Sequence, residues 1–397
     1  VSSRLPLTAQ APGKLYVTGE YGVVEPGCSA VLIAVNKYLS VTLRAPGSHR
    51  GHDVLTAARI SQAIDTARTG TDHALTTAVI MEKFRAERGL TRIPVDLDVH
   101  NDLRDANGAK YGLGSSGAIT VATVTAFDAL YQLGLSEYDK YRLGLLASIQ
   151  VAPRASGGDV AACLSGGWSC YTSPDRAKLP RVLPVDVAGD PQGPVSSVTD
   201  ALASEHFAET PFRRLTVPEN LTVLVGWTGR PALTDQLVGE VHSSKQACSE
   251  SDESFQSLLA MYQHIVADVV TGLESGDFAT VRDGMVATRT ALHQLQQLTG
   301  TSIETPALKT LIDLAQQVGG QLCCAKSSGA GGGDCGIVLA DQSVDTALIT
   351  GAWQEAGITP LPIGVSPTGA RIIETPDLPA SHQGQHETPY EAKDYHQ

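Results

Sequence analysis

The chain has 397 residues, 42% hydrophobic and 18% charged, enough apolar material for a sizeable core in two to three domains and too little charge for a disordered chain. Lys and Arg number 29 against 42 Asp and Glu, which excludes a non-specific binder of nucleic acid or of an anionic membrane surface and confines any anion handling to a local site. No run of about 18 apolar residues predicts a membrane helix, the segment VSSRLPLTAQAPGK lacks the apolar stretch of a signal peptide, and seven scattered cysteines without metal-ligand spacing predict reduced thiols in a cytoplasmic protein without structural zinc.

Short runs of β-branched and aromatic residues predict strands at Lys14–Val17, Val31–Val35 and Tyr38–Leu43. Ile60–Arg88 reads as one helix. Val95, Leu97 and Val99 alternate as a strand ending at His100, and a polar loop follows over 101–110. Within 118–134, Ile119, Val124, Phe127, Leu130 and Tyr131 share one helical face, and Tyr138–Gln150 reads as a second helix. Pro, Gly, Asp and Ser without periodicity over 184–219 predict a connecting segment between an N-terminal domain, 1–183, and a C-terminal domain, 220–378, ahead of a loose polar tail, 379–397. Beyond the connection a strand is expected at Leu221–Val225. The spacing of Phe255, Leu258, Leu259, Tyr262, Ile265, Val266, Val269, Val270 and Leu273 predicts an amphipathic helix. Further helices are expected at Phe278–Leu298 and Pro306–Val318, strands at Leu322–Ala325 and Ile337–Leu339, then a helix near 343–356 and a strand near 358–365. Strands and helices alternate without βαβ regularity, which predicts an α+β protein.

Four glycine-rich segments carry the chemistry. In Lys110-Tyr-Gly-Leu-Gly-Ser-Ser-Gly117, Gly112, Gly114 and Gly117 satisfy G-x-G-x-x-G, but the dinucleotide fingerprint needs a buried strand before it, and here polar residues precede it. What survives is a backbone that a ligand can approach and a helix that starts at once, offering N–H groups and a positive dipole end to an anion. The hydroxyls of Ser115 and Ser116 stand within reach of phosphate oxygens or magnesium; a serine-capped turn is the plainer alternative. The second segment, Lys326 to Gly336, has five glycines in eleven residues, an entropic cost that a plain loop seldom bears, though a flap without a ligand would share it. The third, Ser156-Gly-Gly-Asp159, holds a carboxylate at a loop tip, either as a functional group or as a helix cap. The fourth is Ala11-Pro-Gly-Lys14 with Thr18-Gly-Glu-Tyr21. Lys14 can neutralise a phosphate there or be a surface lysine, and no Walker motif, G-x-S-x-G elbow or H-E-x-x-H occurs.

Together these segments resemble the GHMP kinase superfamily, whose three motifs run in this order: Ala11–Lys14 leading to Gly19-Glu20, Gly112–Gly117, and Lys326–Asp334. Within it the chain most resembles the bacterial-type phosphomevalonate kinases. Gly19-Glu20-Tyr21 stands where mevalonate kinases and galactokinases usually read Gly-Glu-His. Lys110-Tyr111, Gly226-Trp-Thr-Gly-Arg-Pro231 and Asp235 to Glu240 add support. The resemblance implies a two-lobed fold, with an N-terminal domain like domain 2 of ribosomal protein S5 and a ferredoxin-like C-terminal domain. It also implies γ-phosphoryl transfer from ATP, with Mg2+, to mevalonate 5-phosphate in isoprenoid biosynthesis. By the same resemblance Lys110, Gly112, Leu113, Gly114, Ser115, Ser116 and Gly117 would hold ATP, with Ser116 touching the metal. Lys14 and Asp159 would be the catalytic pair. Tyr21, Ser156, Gly157, Ser327, Ser328, Gly329, Ala330 and Gly331 would face the acceptor.

One departure concerns the metal. Mevalonate kinases place a metal-binding glutamate about eleven residues before the catalytic aspartate, where this chain reads Ser148-Ile-Gln150; waters and phosphates would then complete the shell. An acceptor phosphate already ionises near pH 6 and needs no general base, so Asp159 is expected to orient Lys14 and the acceptor oxygen. The competing readings are mevalonate kinase or another kinase of this fold, the diphosphomevalonate decarboxylase and a non-catalytic ligand sensor. Consumption of ATP and release of carbon dioxide separate them. No protein partner is implied, and the sequence leaves the oligomeric state open.

Overall fold

The structure, a computed structural model, describes residues 5–48, 53–184, 194–232, 234–247 and 253–374. Its first sheet starts from two long strands, β1 (Leu7–Thr18) and β2 (Ser29–Arg44), paired antiparallel along most of their length. The far edge of β2 is shared: β4 (Asp96–Asn101) pairs with residues 39–44 and β5 (Trp168–Thr172) with residues 29–33. Short β3 (Asp53–Leu55) extends the sheet beyond β4, and β6 (Phe212–Leu215) extends it beyond β5. At the other edge β11 (Arg371–Ile373) pairs with β1. The second sheet runs in the order β10 (Thr359–Leu361), β7 (Leu221–Trp227), β9 (Cys335–Asp341), β8 (Cys323–Ser327), antiparallel throughout.

The N-terminal sheet is covered by α1 (Ala57–Thr66), α2 (His73–Glu87), α3 (Ser115–Tyr131), α4 (Glu137–Val151) and α5 (Gly158–Ser165), with α6 (Val198–Leu202) against α2. The expected single helix over Ile60–Arg88 is two helices. Ala67 and Gly70 take positive φ of 53° and 57°, and Asp72 then caps α2 by accepting from the Leu75 amide at 3.0 Å. In α3 almost every side chain from Gly117 to Phe127 is buried, not one face. Sheet, α2, α4 and α5 surround it, and a helix enclosed on all sides loses its amphipathic stripe.

The remaining helices are α7 (Thr234–Ala247), α8 (Glu253–Ser275), α9 (Phe278–Thr299), α10 (Pro306–Gly319) and α11 (Thr346–Glu355). The amphipathic pattern read for α8 matches its buried Tyr262, Ile265, Val266, Val269 and Leu273. On α10 and α11 a smaller core closes around Trp353, which is fully buried and donates its indole N–H to Leu311 O at 2.9 Å.

The segment 184–219 does more than connect two regions: it supplies α6 and β6, and β6 joins the first sheet. The chain also returns from the second region. Ser366 N donates to Ala34 O at 2.9 Å before β11 pairs with β1, so the end of the segment 220–378 is built into the N-terminal sheet. The whole of the tail 379–397 lies outside the described residues, as does 185–193.

Candidate active site

A cleft open to solvent lies where the two regions meet, lined by residues from all four glycine-rich segments. Its floor begins with β1. Register with β2 slips between Pro12 and Gly13, a bulge just before Lys14, and such bulges re-aim the side chain that follows. Lys14 N donates to Leu113 O at 2.8 Å, which ties the first motif to the second. Gly13 is required at this crossing, because a Cβ there would stand 2.8 Å from the same oxygen.

The second motif forms the cleft's anion-binding end. Gly114 has φ +78° and precedes α3, whose first internal bond is Ala118 N to Gly114 O at 3.1 Å. The opening amides of α3 therefore point out of its N-terminus into the cleft. Lys14 crosses this loop so closely that a Cβ on Gly114 would lie 2.7 Å from Lys14 Cε. A second helix, α5, also begins here: Gly157 has φ +84° and Asp159 lies in the first turn, where the helix dipole favours a carboxylate. Asp159 packs on Gly117 of α3, where an added Cβ would be 2.7 Å from Oδ2.

Ser156, just before α5, is held on both sides. Its hydroxyl meets Tyr16 OH at 3.0 Å, and its carbonyl accepts from Tyr171 OH, itself 2.9 Å from Tyr141 OH. Burial pushes the Tyr16 phenol far above its ordinary range, with the Asp159 charge adding to the effect. Tyr16 is therefore a neutral strut.

The third motif is clamped to the first. Lys326 and Glu20, both buried, form an ion pair across the two regions, and Lys326 also reaches Ser327 O. Ser328 Oγ accepts from Tyr16 N at 2.8 Å and donates to Tyr16 O at 3.0 Å. Tyr21, in the left-handed region at φ 62°, donates to Ala330 O at 2.6 Å. A bulky residue persists at such a φ only where its surroundings over-determine it.

Asp334 closes this loop against the second motif, its side chain filling the space that a Gly112 Cβ would need. Its Oδ1 accepts from Ala232 N at 2.9 Å, and its own amide donates to Arg230 O at 2.8 Å. The segment around Gly226–Pro231 thus forms its cradle. Burial pushes the Asp334 carboxyl up to about 6, and the charges of Lys14 and Lys110 pull the other way.

Of the residues expected at the site, Lys14, Tyr21, Lys110, Gly112, Leu113, Gly114, Ser115, Ser116, Ser156, Asp159, Gly329 and Ala330 line the cleft. Five others sit behind that lining. Gly117 backs Asp159, Gly157 packs on Tyr171, and Gly331 is pressed against Ile303 O. Ser327 is buried beside the Lys326 ammonium, and Ser328 has its hydroxyl committed to the Tyr16 backbone. Sequence reasoning assigned no role to Tyr16, Glu20, Arg154, Val238 or Asp334, which also line the cleft. Asp334, a non-glycine residue closing a triple-glycine run, was the most legible of these.

The donor set suits a hard cation. Ser116 and Asp159, two oxygen-bearing side chains, line the cleft. The buried Ser148 Oγ, eleven residues before Asp159, has no hydrogen-bond partner among the described residues. No group of three acidic, His or Cys side chains forms a metal cage among the described residues. Few protein ligands and many phosphate or water oxygens is how Mg2+ is usually held.

The model of the GHMP kinases N terminal domain matches residues 72–167 and that of the GHMP kinases C terminal region matches 269–359. A phosphomevalonate kinase of Streptomyces sp. (strain CL190) is 37% identical over 381 residues, covering 90% of this chain and 96% of that one. The crystal structure of Streptococcus pneumoniae phosphomevalonate kinase in complex with phosphomevalonate and AMPPNP superposes with a TM-score of 0.72 at 26% identity, covering 90% of this chain and 99% of that one. A mevalonate kinase of Pyrococcus abyssi is 25% identical, covering 92% of this chain and 97% of its own length. Both family models match in order and more than a third of the residues are shared with one relative over nearly the whole length, so the chain belongs to the GHMP kinases, in their phosphomevalonate kinase group.

Proposed function

We propose that this chain transfers the γ-phosphoryl group of ATP to mevalonate 5-phosphate, releasing ADP and mevalonate 5-diphosphate. The observation that carries the reading is the 37% identity to the Streptomyces phosphomevalonate kinase over 90% of the chain, against 25% for the mevalonate kinase. The cleft supports it with two helix N-termini and three cationic side chains, Lys14, Lys110 and Arg154, converging on one space.

An oxygen of the acceptor phosphate attacks the γ-phosphorus, the bond to the β–γ bridging oxygen breaks, and ADP leaves with that electron pair. No proton need be removed, because a phosphate monoester arrives largely as a dianion. The work is positioning and neutralisation of charge. The α3 amides with Ser115 and Ser116 cradle the ATP phosphates, Lys14 bridges the reacting groups, and Asp159 orients Lys14 and the acceptor. Gly329 and Ala330 cover the acceptor from the third motif. Magnesium, held through Ser116 with phosphate and water oxygens, supplies further charge neutralisation when bound. No helix among the described residues is long and apolar enough to cross a membrane, and the six described cysteines are unpaired thiols, which supports a cytoplasmic enzyme.

The test is ADP release from magnesium ATP with mevalonate, mevalonate 5-phosphate, mevalonate 5-diphosphate and galactose offered separately. Turnover confined to mevalonate 5-phosphate is expected. Turnover on mevalonate alone would overturn the assignment.

A further inference from the structure

Arg154 is the cation of the cleft that sequence reasoning passed over. It lies on the short loop between α4 and α5, two residues before Ser156. The loop is held from beneath by Arg176, whose guanidinium donates to Arg154 O at 2.9 Å, to Ala155 O at 2.6 Å and to Val24 O. Tyr171 fixes the next carbonyl, that of Ser156. The Arg154 backbone is thus anchored while its side chain stands exposed at the cleft wall, with no ion pair or hydrogen bond to another side chain among the described residues. Across from it α7 carries Gly239, where a Cβ would come within 3.1 Å of Arg154 Nη1. The helix is bare where the guanidinium passes.

The other charges of the cleft are already apportioned. Glu20 belongs to Lys326. Lys14 lies across the nucleotide loop, where a Gly114 Cβ would stand 2.7 Å from its Cε, and bridges toward the acceptor; Lys110 opens that same loop. Arg154 lines the same cleft from the α4–α5 loop, two residues before Ser156 and five before Asp159. Transfer between two polyanions needs positive charge on both, and a planar guanidinium matches a phosphate with two parallel hydrogen bonds.

We propose that Arg154 binds the phosphate that the acceptor already carries, and so separates a phosphate-bearing acceptor from its parent alcohol. This rests on the reading of the cleft as a phosphate-to-phosphate transferase, so wild-type turnover on mevalonate 5-phosphate is measured first; its absence would sink both. Given that turnover, Arg154→Met should raise the KM for mevalonate 5-phosphate about 30-fold or more while the KM for ATP moves less than about 3-fold. Arg154→Lys, a point charge without the fork, should fall between. Mevalonate, which has the same carboxylate and a hydroxyl in place of the phosphate, then serves as a competitive inhibitor. Its inhibition constant should be the same for wild type and Arg154→Met. A rise in step with the acceptor KM would show that Arg154 holds the carboxylate, a matching rise in the ATP KM that it serves the nucleotide, and no change in either KM that it is a solvated surface residue. Each of these three would overturn the proposal.

Discussion

Lys14 owes its position to a bulge, a glycine and a backbone bond to Leu113, and its side chain lies across Gly114 at the mouth of α3. A preorganised cation so placed acts on the transition state more than on binding. Lys14→Met should lower kcat about 10²–10³-fold with a smaller change in the ATP KM, as steady-state kinetics would report. Asp159→Asn keeps the shape and loses the charge. If the acceptor brings its own dianion, the loss in kcat should stay below about 10²-fold; a loss near 10⁴-fold would mean that Asp159 removes a proton. Asp334 gives a pH signature. Its carboxyl sits at about 6 in the folded protein against an ordinary 3.8, so between these values the folded state holds the proton that the unfolded state has released. Stability from this group therefore falls as pH rises from 4 to 6, by about 3 kcal/mol at most. Urea titrations should show that Asp334→Asn removes this slope.

At the scale of elements two helices, α3 and α5, begin at the cleft and meet where Asp159 packs on Gly117. Gly117 lies inside α3, where alanine would ordinarily favour the helix by about 1 kcal/mol, yet its missing side chain is the space that Asp159 fills. Gly117→Ala should therefore cut kcat about 10- to 100-fold by displacing Asp159, with helix content by circular dichroism unchanged. Equal loss of helix and activity would make Gly117 a folding residue. The glycine-rich segments were legible because glycine at positive φ and serine at a helix start are local features. Which of their side chains reach the cleft was not. Ser328 looks like a ligand in sequence and is a rivet in the fold, because the Tyr16 backbone arrives 312 positions away to take both its bonds.

Over the whole molecule, Glu20 and Lys326 join the two regions as a buried pair. Removing one partner strands the other charge in the core. Glu20→Gln or Lys326→Met should each cost about 3–5 kcal/mol in urea unfolding, and the double substitution Glu20→Met with Lys326→Met should recover a large part of that. Additive losses in the double variant would show that the pair does not act as a unit. The same closure appears in β6 and β11, which bring residues after position 184 back to the first sheet.

The sequence by itself determined the α+β class, most helices of the second half, the order of the three glycine motifs and the membership in a kinase superfamily. Periodicity, caps and turn glycines are set by neighbours in the chain, and these survive without knowledge of the fold. Only the tertiary structure decided that 57–87 breaks into two helices, that α3 is buried on every side, that β11 closes on β1, and that Arg154 and Asp334 belong to the cleft. Burial, charge partners and the surroundings that shift a carboxyl depend on segments that arrive from hundreds of residues away, and no local pattern encodes which segments those will be.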